Sequence, residues 1–152
     1  MAVEQYANII AGPITRAAIV ESFMSSSTNL PLWAPVKLAA AGTNETLPRV
    51  TTTTSADDKI IGITCGPKKS SGFVADVAGD TVQVITFGAA KCKVLGASST
   101  IAIATPLTST TTAGQAGAIA ATNRNGFALS LFAGVTDGDI IPVYVKGSIS
   151  LG

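Results

Sequence analysis

Few side chains in this sequence could take part in chemistry, and the strongest candidate is a cysteine close to two lysines. Cys65 stands in the stretch GITCGPKKS, where Lys68 and Lys69 could lower the pKa of the thiol and make it a nucleophile. The chain of 152 residues contains no histidine, which excludes Ser-His and Cys-His arrangements and the commonest general base near neutral pH. A small apolar residue at the end of a strand is therefore the favoured interpretation of Cys65, ahead of a cysteine-dependent hydrolase.

Carboxylate pairs are the second possible source of chemistry. Asp57 is next to Asp58, and Asp137 is two residues from Asp139. Neither pair is accompanied by the further ligands of a calcium loop, and aspartates in loops are usually solvated turn residues. Cys65 and the other cysteine, at position 92, are too far apart for a C-x-x-C metal motif. Buried free thiols are the favoured interpretation of the two, ahead of a disulfide. We therefore predict no catalytic residue, no cofactor and no metal site, in a protein that is not an enzyme.

Charge is sparse and scattered along the chain. Charged residues make up 12% of the sequence, about half the usual share, and the formal net charge is +1. The ten basic residues form no stripe that could neutralise a run of phosphates, so nucleic acid is not an expected partner. No apolar run approaches the ~20 residues of a membrane helix, and the first residues lack the basic region of a signal peptide. These features indicate a soluble protein made in a reducing cytoplasm, without a membrane partner.

The elements that would have to position any functional group are short strands. From residue 36 onward, eight or nine runs of β-branched and apolar residues are separated by Gly, Pro, Asn, Asp and Ser, which is typical of an all-β sandwich or small barrel. Residues 1–35 are more apolar, so we divide the chain into an N-terminal arm, 1–35, and a β domain, 36–152. Pro13 could begin a helix in the arm, whereas the β-branched residues after it favour an extended chain. An extended and a partly helical arm both stay open.

One ten-residue strand sequence occurs twice in the chain, with several substitutions. GDTVQVITFG at 79–88 and GDIIPVYVKG at 138–147 align without a gap; each begins with a Gly-Asp turn and ends on glycine. Upstream, IIGITCG and GFALSLFAG extend the correspondence. We predict two equivalent walls around one core, with Pro142 at a sheet edge or bulge because proline has no N–H for a ladder. The alternation predicts two inward rows, Val82/Val84/Thr86 and Ile141/Val143/Val145.

The order of these segments resembles a known family. The small head decoration, or cement, proteins of tailed bacteriophages share a similar succession of strands over residues 36–147, carried here by VKLAAAGTNETLPRV, DKIIGITCG, AGDTVQVITFGAAKCKV, IAIATPLTSTTTAGQAG and NGFALSLFAGVTDGDIIPVYV. The resemblance implies a β-tulip-like domain in a non-enzymatic virion protein. Such a protein would assemble in the host cytoplasm, bind the outer surface of the icosahedral capsid, commonly as a homotrimer, and cement neighbouring major capsid subunits.

Contact residues are predicted from the apolar, proline-broken N-terminal region. Its segment NLPLWAPVKL carries the sole tryptophan between two prolines that favour a stiff extended chain. We predict contacts with a neighbouring subunit or the shell through Ile9, Ile10, Ile14, Leu32 and Trp33. The alternative function is a phage tail or surface adhesion module that binds a glycan or a host protein, which exposed aromatic pairs and a concave groove would favour. The scarcity of Trp and Tyr counts against that alternative.

Overall fold

The fold is built from β-strands throughout the part of the chain that a computed structural model describes, residues 18–94, 100–119 and 125–150. The strands are β1 (Ile19–Ser25), β2 (Leu30–Pro31), β3 (Pro35–Ala39), β4 (Arg49–Thr52), β5 (Ile60–Gly66), β6 (Phe73–Ala75), β7 (Thr81–Lys93), β8 (Pro106–Ser109), β9 (Ala116–Ala118), β10 (Asn125–Ser130) and β11 (Ile140–Ser150). The predicted all-β class with a small barrel is confirmed. Within those residues, no helix is long and apolar enough to cross a membrane.

Five strands close into a barrel in the order β1, β4, β3, β5 and β7, and β7 pairs again with β1. β1 and β4 run parallel, and the other neighbours run antiparallel. The apolar side chains packed inside and at the closed end form the barrel core, which comprises Phe23, Leu30, Val36, Val50, Val74, Ala75, Val82 and Val84. Closing the ring removes the free edges that an open sheet of these strands would expose.

A second sheet continues from the barrel because β7 is long enough to serve both. Its first half pairs with β1 and β5, and its second half pairs with β11 from Gly88 to Lys93. Beyond β11 the sheet runs through β10 and β8 to β9. A second core lies between this sheet and the outer wall of the barrel, with Ile63 and Ile85 from the barrel side and Phe127 and Val143 from the sheet side. The strand β7 therefore borders both cores.

The repeated strand belongs to a 13-residue unit that occurs three times, at 54–66, 76–88 and 135–147. In each copy the fifth residue is an aspartate, Asp58, Asp80 or Asp139, whose Oδ2 accepts hydrogen bonds from the first two N–H groups of the unit at 2.7–3.2 Å. Each copy ends on a glycine with positive φ: 145° at Gly66, 101° at Gly88 and 81° at Gly147. The aspartates are thus turn residues that start β5, β7 and β11.

Most residues of the two predicted inward rows are buried, as expected, but the two rows face different cores. Val82 and Val84 point into the barrel core, whereas Ile141, Val143 and Val145 belong to the second core. The prediction of two equivalent walls around a single core is therefore wrong, because β7 and β11 lie in different halves of the fold. The upstream segments do correspond in their pairing: IIGITCG is β5, antiparallel to β7, and GFALSLFAG contains most of β10, antiparallel to β11. IIGITCG is also the strand of the third unit.

Pro142 does not lie on the outer edge of the sheet. It pairs opposite Lys91 of β7, and its carbonyl accepts a hydrogen bond from the N–H of Leu131 at 2.9 Å. The ladder between β10 and β11 stops at Val143, one residue away. The nitrogen of Pro142 faces the same side as its carbonyl and cannot return a hydrogen bond to Leu131, so the proline lies where the β10–β11 ladder ends.

Part of the predicted arm is built into the barrel. β1 supplies one of its five strands, and both Leu30 and Ala34 are fully buried. The boundary predicted between residues 35 and 36 cuts through β3, so residues 18–35 pack as part of the β domain. The strand over Ile19–Ser25 selects the extended alternative there, while residues 1–17, which include Pro13, lie outside the described residues.

The aspartate of the second 13-residue unit, Asp80, predicts a loss of stability in acid. Lys69 lowers the pKa of Asp80 to about 2, with help from the N–H groups of Val77 and Asp76. Between pH ~4, where a free aspartate titrates, and pH ~2, the unfolded chain binds the proton that the folded chain does not, so acid favours unfolding. We expect the urea midpoint to fall across this window and to fall less in Asp80→Asn. An unchanged acid dependence in that variant would contradict the assignment.

Candidate protein-binding surfaces

The predicted chemical residues do not form a reactive site. Burial raises the pKa of the Cys65 thiol to about 11, so it is protonated at neutral pH. Lys69, predicted to activate it, forms ion pairs with Asp76 and Asp80 instead. Burial also raises the pKa of Cys92, and both cysteines are free thiols. Among residues 18–94, 100–119 and 125–150, no three His, Cys, Asp or Glu side chains are grouped closely enough to hold a metal ion.

One concave feature formed by described residues lies at an end of the barrel, which we call the barrel mouth. Its lining is contributed by Glu21, Phe23, Leu38, Pro48, Ile61 and Thr86, and the cavity has a volume of about 460 Å³. Phe23 is buried at the floor, whereas the Leu38 side chain at the rim is 56% exposed. Side chains two residues apart on a strand point to the same face. Val36 and Val84 point into the barrel core, so Leu38 and Thr86, two residues further along their strands, point into the mouth. The mouth is therefore mainly apolar.

Beside the mouth, one edge of β1 has few partners among the described residues. β7 pairs with β1 from Ile19 to Met24, but β4 pairs only with Met24 and Ser25. The N–H of Met24 donates to Pro48 on the β4 side, at 3.0 Å, and that of Ser25 donates to Asp80 on the β7 side, at 2.8 Å. By alternation, the N–H and C=O of Ser22 point away from β7. No residue in the described part of the chain pairs with them.

Charges of both signs flank the mouth. Glu21 is exposed on one side and forms no ion pair with any described residue. On the other side, Lys37 and Lys59 line a shallow depression together with Leu38 and Ile61. Lys37 is held by Asp58 at 2.8 Å, whereas Lys59 is exposed. An apolar centre with a polar rim is the usual composition of a protein-binding surface.

Further exposed apolar residues, which we call the outer patch, lie outside the barrel, around the bridge between Ile101 and Gly134 and the start of β11. It consists of Ile103, Phe132, Val135 and Ile140, whose side chains are 52–67% exposed. The facing segments are joined by hydrogen bonds between Ile101 and Gly134, at 2.9 Å in both directions, and Ile103 and Phe132 follow and precede that bridge. Large exposed apolar groups, such as Ile103 and Phe132 on the two bridged segments, are typical of contact sites.

The predicted contact residues have different positions. Trp33 is half-buried against the second core, and Leu32 is half-buried against the barrel core. The Trp33 backbone has a φ of 60°, donates to Thr64 O at 3.0 Å and accepts from Lys93 N at 2.9 Å, so it joins β5 to the end of β7. Lys91 Nζ lies 5.9 Å from the ring centroid of Trp33. The other predicted contact residues, Ile9, Ile10 and Ile14, lie outside the described residues.

An aromatic pair connects β7 to β11. Phe87, 42% exposed, and the half-buried Tyr144 meet edge to face, with ring centroids 5.7 Å apart. Sequence reasoning missed this pair, the mouth and the outer patch. Of these, only Phe87 and Tyr144 had a sequence signal, because they stand one residue and three residues before the closing glycines of their units. The mouth collects residues from separate strands, which no local pattern reveals.

Fold and surfaces together define a class: a closed five-stranded β-barrel extended by a second sheet, with apolar contact surfaces. No family model matches the chain, and no curated protein matches it. Among solved structures, the chain is similar to the N base of the head fiber gp8.5 of bacteriophage phi29, with a TM-score of 0.53 and 13% sequence identity. The alignment covers 89% of this chain and 99% of that one. This likeness shows a shared fold.

Proposed function

We propose that this protein is a structural component of a bacteriophage head that binds the outer surface of the assembled capsid and cements neighbouring major capsid subunits. The observation that carries the proposal is the fold, which is shared with almost the whole length of a phage head fiber base. The resemblance of its strand succession to head decoration proteins points the same way. A homotrimer is part of the proposal, since decoration proteins of this kind commonly form one.

The outer patch is the surface we assign to the capsid contact. Its four apolar side chains are exposed outside the barrel, and the aromatic ring of Phe132 can fill a pocket on a flat protein surface. Thr, Ser, Ala and Gly dominate the rest of the chain, and such a surface loses little hydration on contact. Leu32 and Trp33 stay predicted contacts; their half-burial leaves part of each side chain accessible.

Sedimentation with phage heads tests the function. Purified protein, added to heads that lack it, should co-sediment in numbers comparable to the capsid subunits and should be accessible to antibody on the outer surface. Phe132→Ala should weaken binding about tenfold, the effect of removing one central aromatic anchor. Val77→Ala, which truncates a side chain that is 56% exposed on a turn outside the patch, is the matched control and should bind as the unchanged protein does.

Absence from purified particles would contradict the capsid role. Binding of the protein to host cells instead, without any affinity for heads, would favour the alternative of a surface module for a glycan or host protein. The exposed Phe87–Tyr144 pair is the observation that supports this second candidate, because aromatic faces are common in glycan sites.

A further inference from the structure

We propose that one face of β7 and β11 binds an acidic polysaccharide, whose sugars carry carboxylate groups. This surface, which we call the β7–β11 face, consists of Trp33, Phe87, Lys91, Tyr144 and Lys146. The inference rests on the second candidate function, whose aromatic pair it uses, and it gives that candidate a site and a ligand class. It does not need the capsid role, because the outer patch is a different surface.

Strand register places the side chains of β7 and β11 on one side of the sheet. Lys91 is opposite Pro142 in the ladder between the two strands. Tyr144 and Lys146 follow Pro142 at intervals of two residues, so they point to the same side as Lys91. The alternate residues of β11 are buried in the second core. The β7–β11 face is therefore the side of this sheet that points away from the second core.

Aromatic rings supply the apolar part of the face. Phe87 is 42% exposed and meets Tyr144 edge to face, and Lys91 Nζ lies over the ring of Trp33, 5.9 Å from its centroid. Sugar rings present C–H groups that pack against the negatively charged faces of aromatic rings. The sole tryptophan and one of the two tyrosines of the chain are thus brought to one surface.

The backbone of Trp33 is held in a conformation that bulky residues rarely adopt. Its φ of 60° lies in the left-handed region, and its N–H and C=O are bound by Thr64 and Lys93. Thr64 Oγ1 also accepts from the N–H of Ala34 at 3.0 Å and donates to the carbonyl of Pro31 at 2.6 Å. These bonds fix the indole beside Lys91. Backbone strain that is held in this way is concentrated at functional sites.

Charge complementarity selects an acidic ligand. β7 and β11 carry three lysines, Lys91, Lys93 and Lys146, and no acidic residue. The ion pairs among the described residues involve none of these lysines. Asp80 and Asp139, which precede the two strands, accept hydrogen bonds from N–H groups of their own turns. Lysine ammonium groups form strong, charge-assisted hydrogen bonds with carboxylates.

The backbone favours a polysaccharide over an acidic peptide. At Tyr144, β11 pairs with β7 on one side and with β10 on the other. An extended peptide typically binds a sheet through main-chain hydrogen bonds at an edge strand, and β11 is not an edge strand. Recognition must therefore come from rings and ammonium groups, which match the C–H faces and the carboxylates of an acidic sugar chain.

Titration with oligogalacturonate, a chain of carboxylate-bearing sugars, tests the ligand class. We expect it to shift the fluorescence of Trp33 and to bind about tenfold more weakly when salt is raised from about 50 to about 500 mM, because salt screens exposed charges. The neutral methyl-esterified chain should bind about tenfold more weakly than the acid. No binding of oligogalacturonate at low salt would overturn the proposal. Equal binding of polyglutamate would show that an acidic peptide suffices and would also overturn it.

Two substitutions locate the site. Lys91→Gln and Phe87→Ala should each weaken oligogalacturonate binding about tenfold, as expected for central contact residues. Lys59→Gln, which changes an exposed lysine beside the mouth, is the control for the first and should bind unchanged. Phe132→Ala is the control for the second: it should keep sugar binding and lose capsid affinity, whereas Phe87→Ala should keep capsid affinity.

The variants also separate this inference from the capsid role. Protein that binds oligogalacturonate through Lys91 and Phe87 but has no affinity for heads would support the β7–β11 face and contradict the capsid role alone. Protein that binds heads but not oligogalacturonate would overturn the β7–β11 face alone. Equal losses in Lys59→Gln and Lys91→Gln would show attraction to charge anywhere on the surface and would overturn a specific site.

Discussion

Replacing Gly62 with alanine should lower the free energy of unfolding by about 3 kcal/mol. A Cβ atom at this position would lie 2.3 Å from the carbonyl oxygen of Ile85 and 2.6 Å from Cγ1 of Val84. Both belong to β7, the strand shared by the two cores, and the nearer of them is a backbone atom that cannot rotate away. Overpacking of a rigid core destabilises a protein by about 3 kcal/mol, which is a large fraction of a typical total stability of about 5–15 kcal/mol.

Urea denaturation followed by the fluorescence of Trp33, the sole tryptophan, measures this loss. Gly126→Ala is the matched control, because a Cβ there would lie 3.5 Å from Cδ1 of Ile119, an ordinary van der Waals distance. We expect the control to unfold within about 0.5 kcal/mol of the unchanged protein. Similar midpoints for the two variants would show that β5 and β7 can separate, contrary to the close approach at Gly62.

The second large effect is expected at Phe127. Its ring is 1% exposed and lies in the second core with Leu107 and Val143. Truncation to alanine leaves a cavity and should lower the free energy of unfolding by about 3–5 kcal/mol. Denaturation followed by circular dichroism gives the value.

Phe132, five residues after Phe127, is the matched control for this stability prediction. Its ring is 62% exposed, so Phe132→Ala should change the stability by no more than about 0.5 kcal/mol. The same variant is expected to lose capsid affinity, which makes the two phenylalanines opposite in their effects. A stability loss at Phe132 comparable to that at Phe127 would mean that the outer patch is packed rather than open for contact.

The strands could be predicted from the sequence because their signals are local. β-Branched runs between turn residues predict β5, β7 and β11, and Gly-Asp predicts two of the three aspartate turns. The turn at Asp58 was not predicted, because Asp57 stands where the other two units have Gly79 and Gly138. The closure of the barrel could not be predicted, since it depends on the pairing of Ile19 with Phe87, residues that no local pattern connects.

The candidate surfaces also differ in whether their residues are local in the sequence or come from distant strands. The apolar segment with Leu32 and Trp33 is continuous in sequence and could be singled out, although the structure buries the larger part of both residues. The mouth needs Glu21, Leu38 and Thr86 from three strands, and the outer patch needs Ile103 beside Phe132. Such groupings are products of the topology, so they become visible only when strand order and register are known.

The pairing of β1 with β7 also orders events during synthesis. Ribosomes deliver β1 first, but its main partner emerges only after β3, β4 and β5 have been made. The antiparallel β3, β4 and β5 can pair as they appear, while Phe23 has no barrel to enter until β7 is present. We therefore expect a nascent chain that stops before Thr81 to remain sensitive to protease in its first strand, and to gain resistance in one step once β7 has left the exit tunnel.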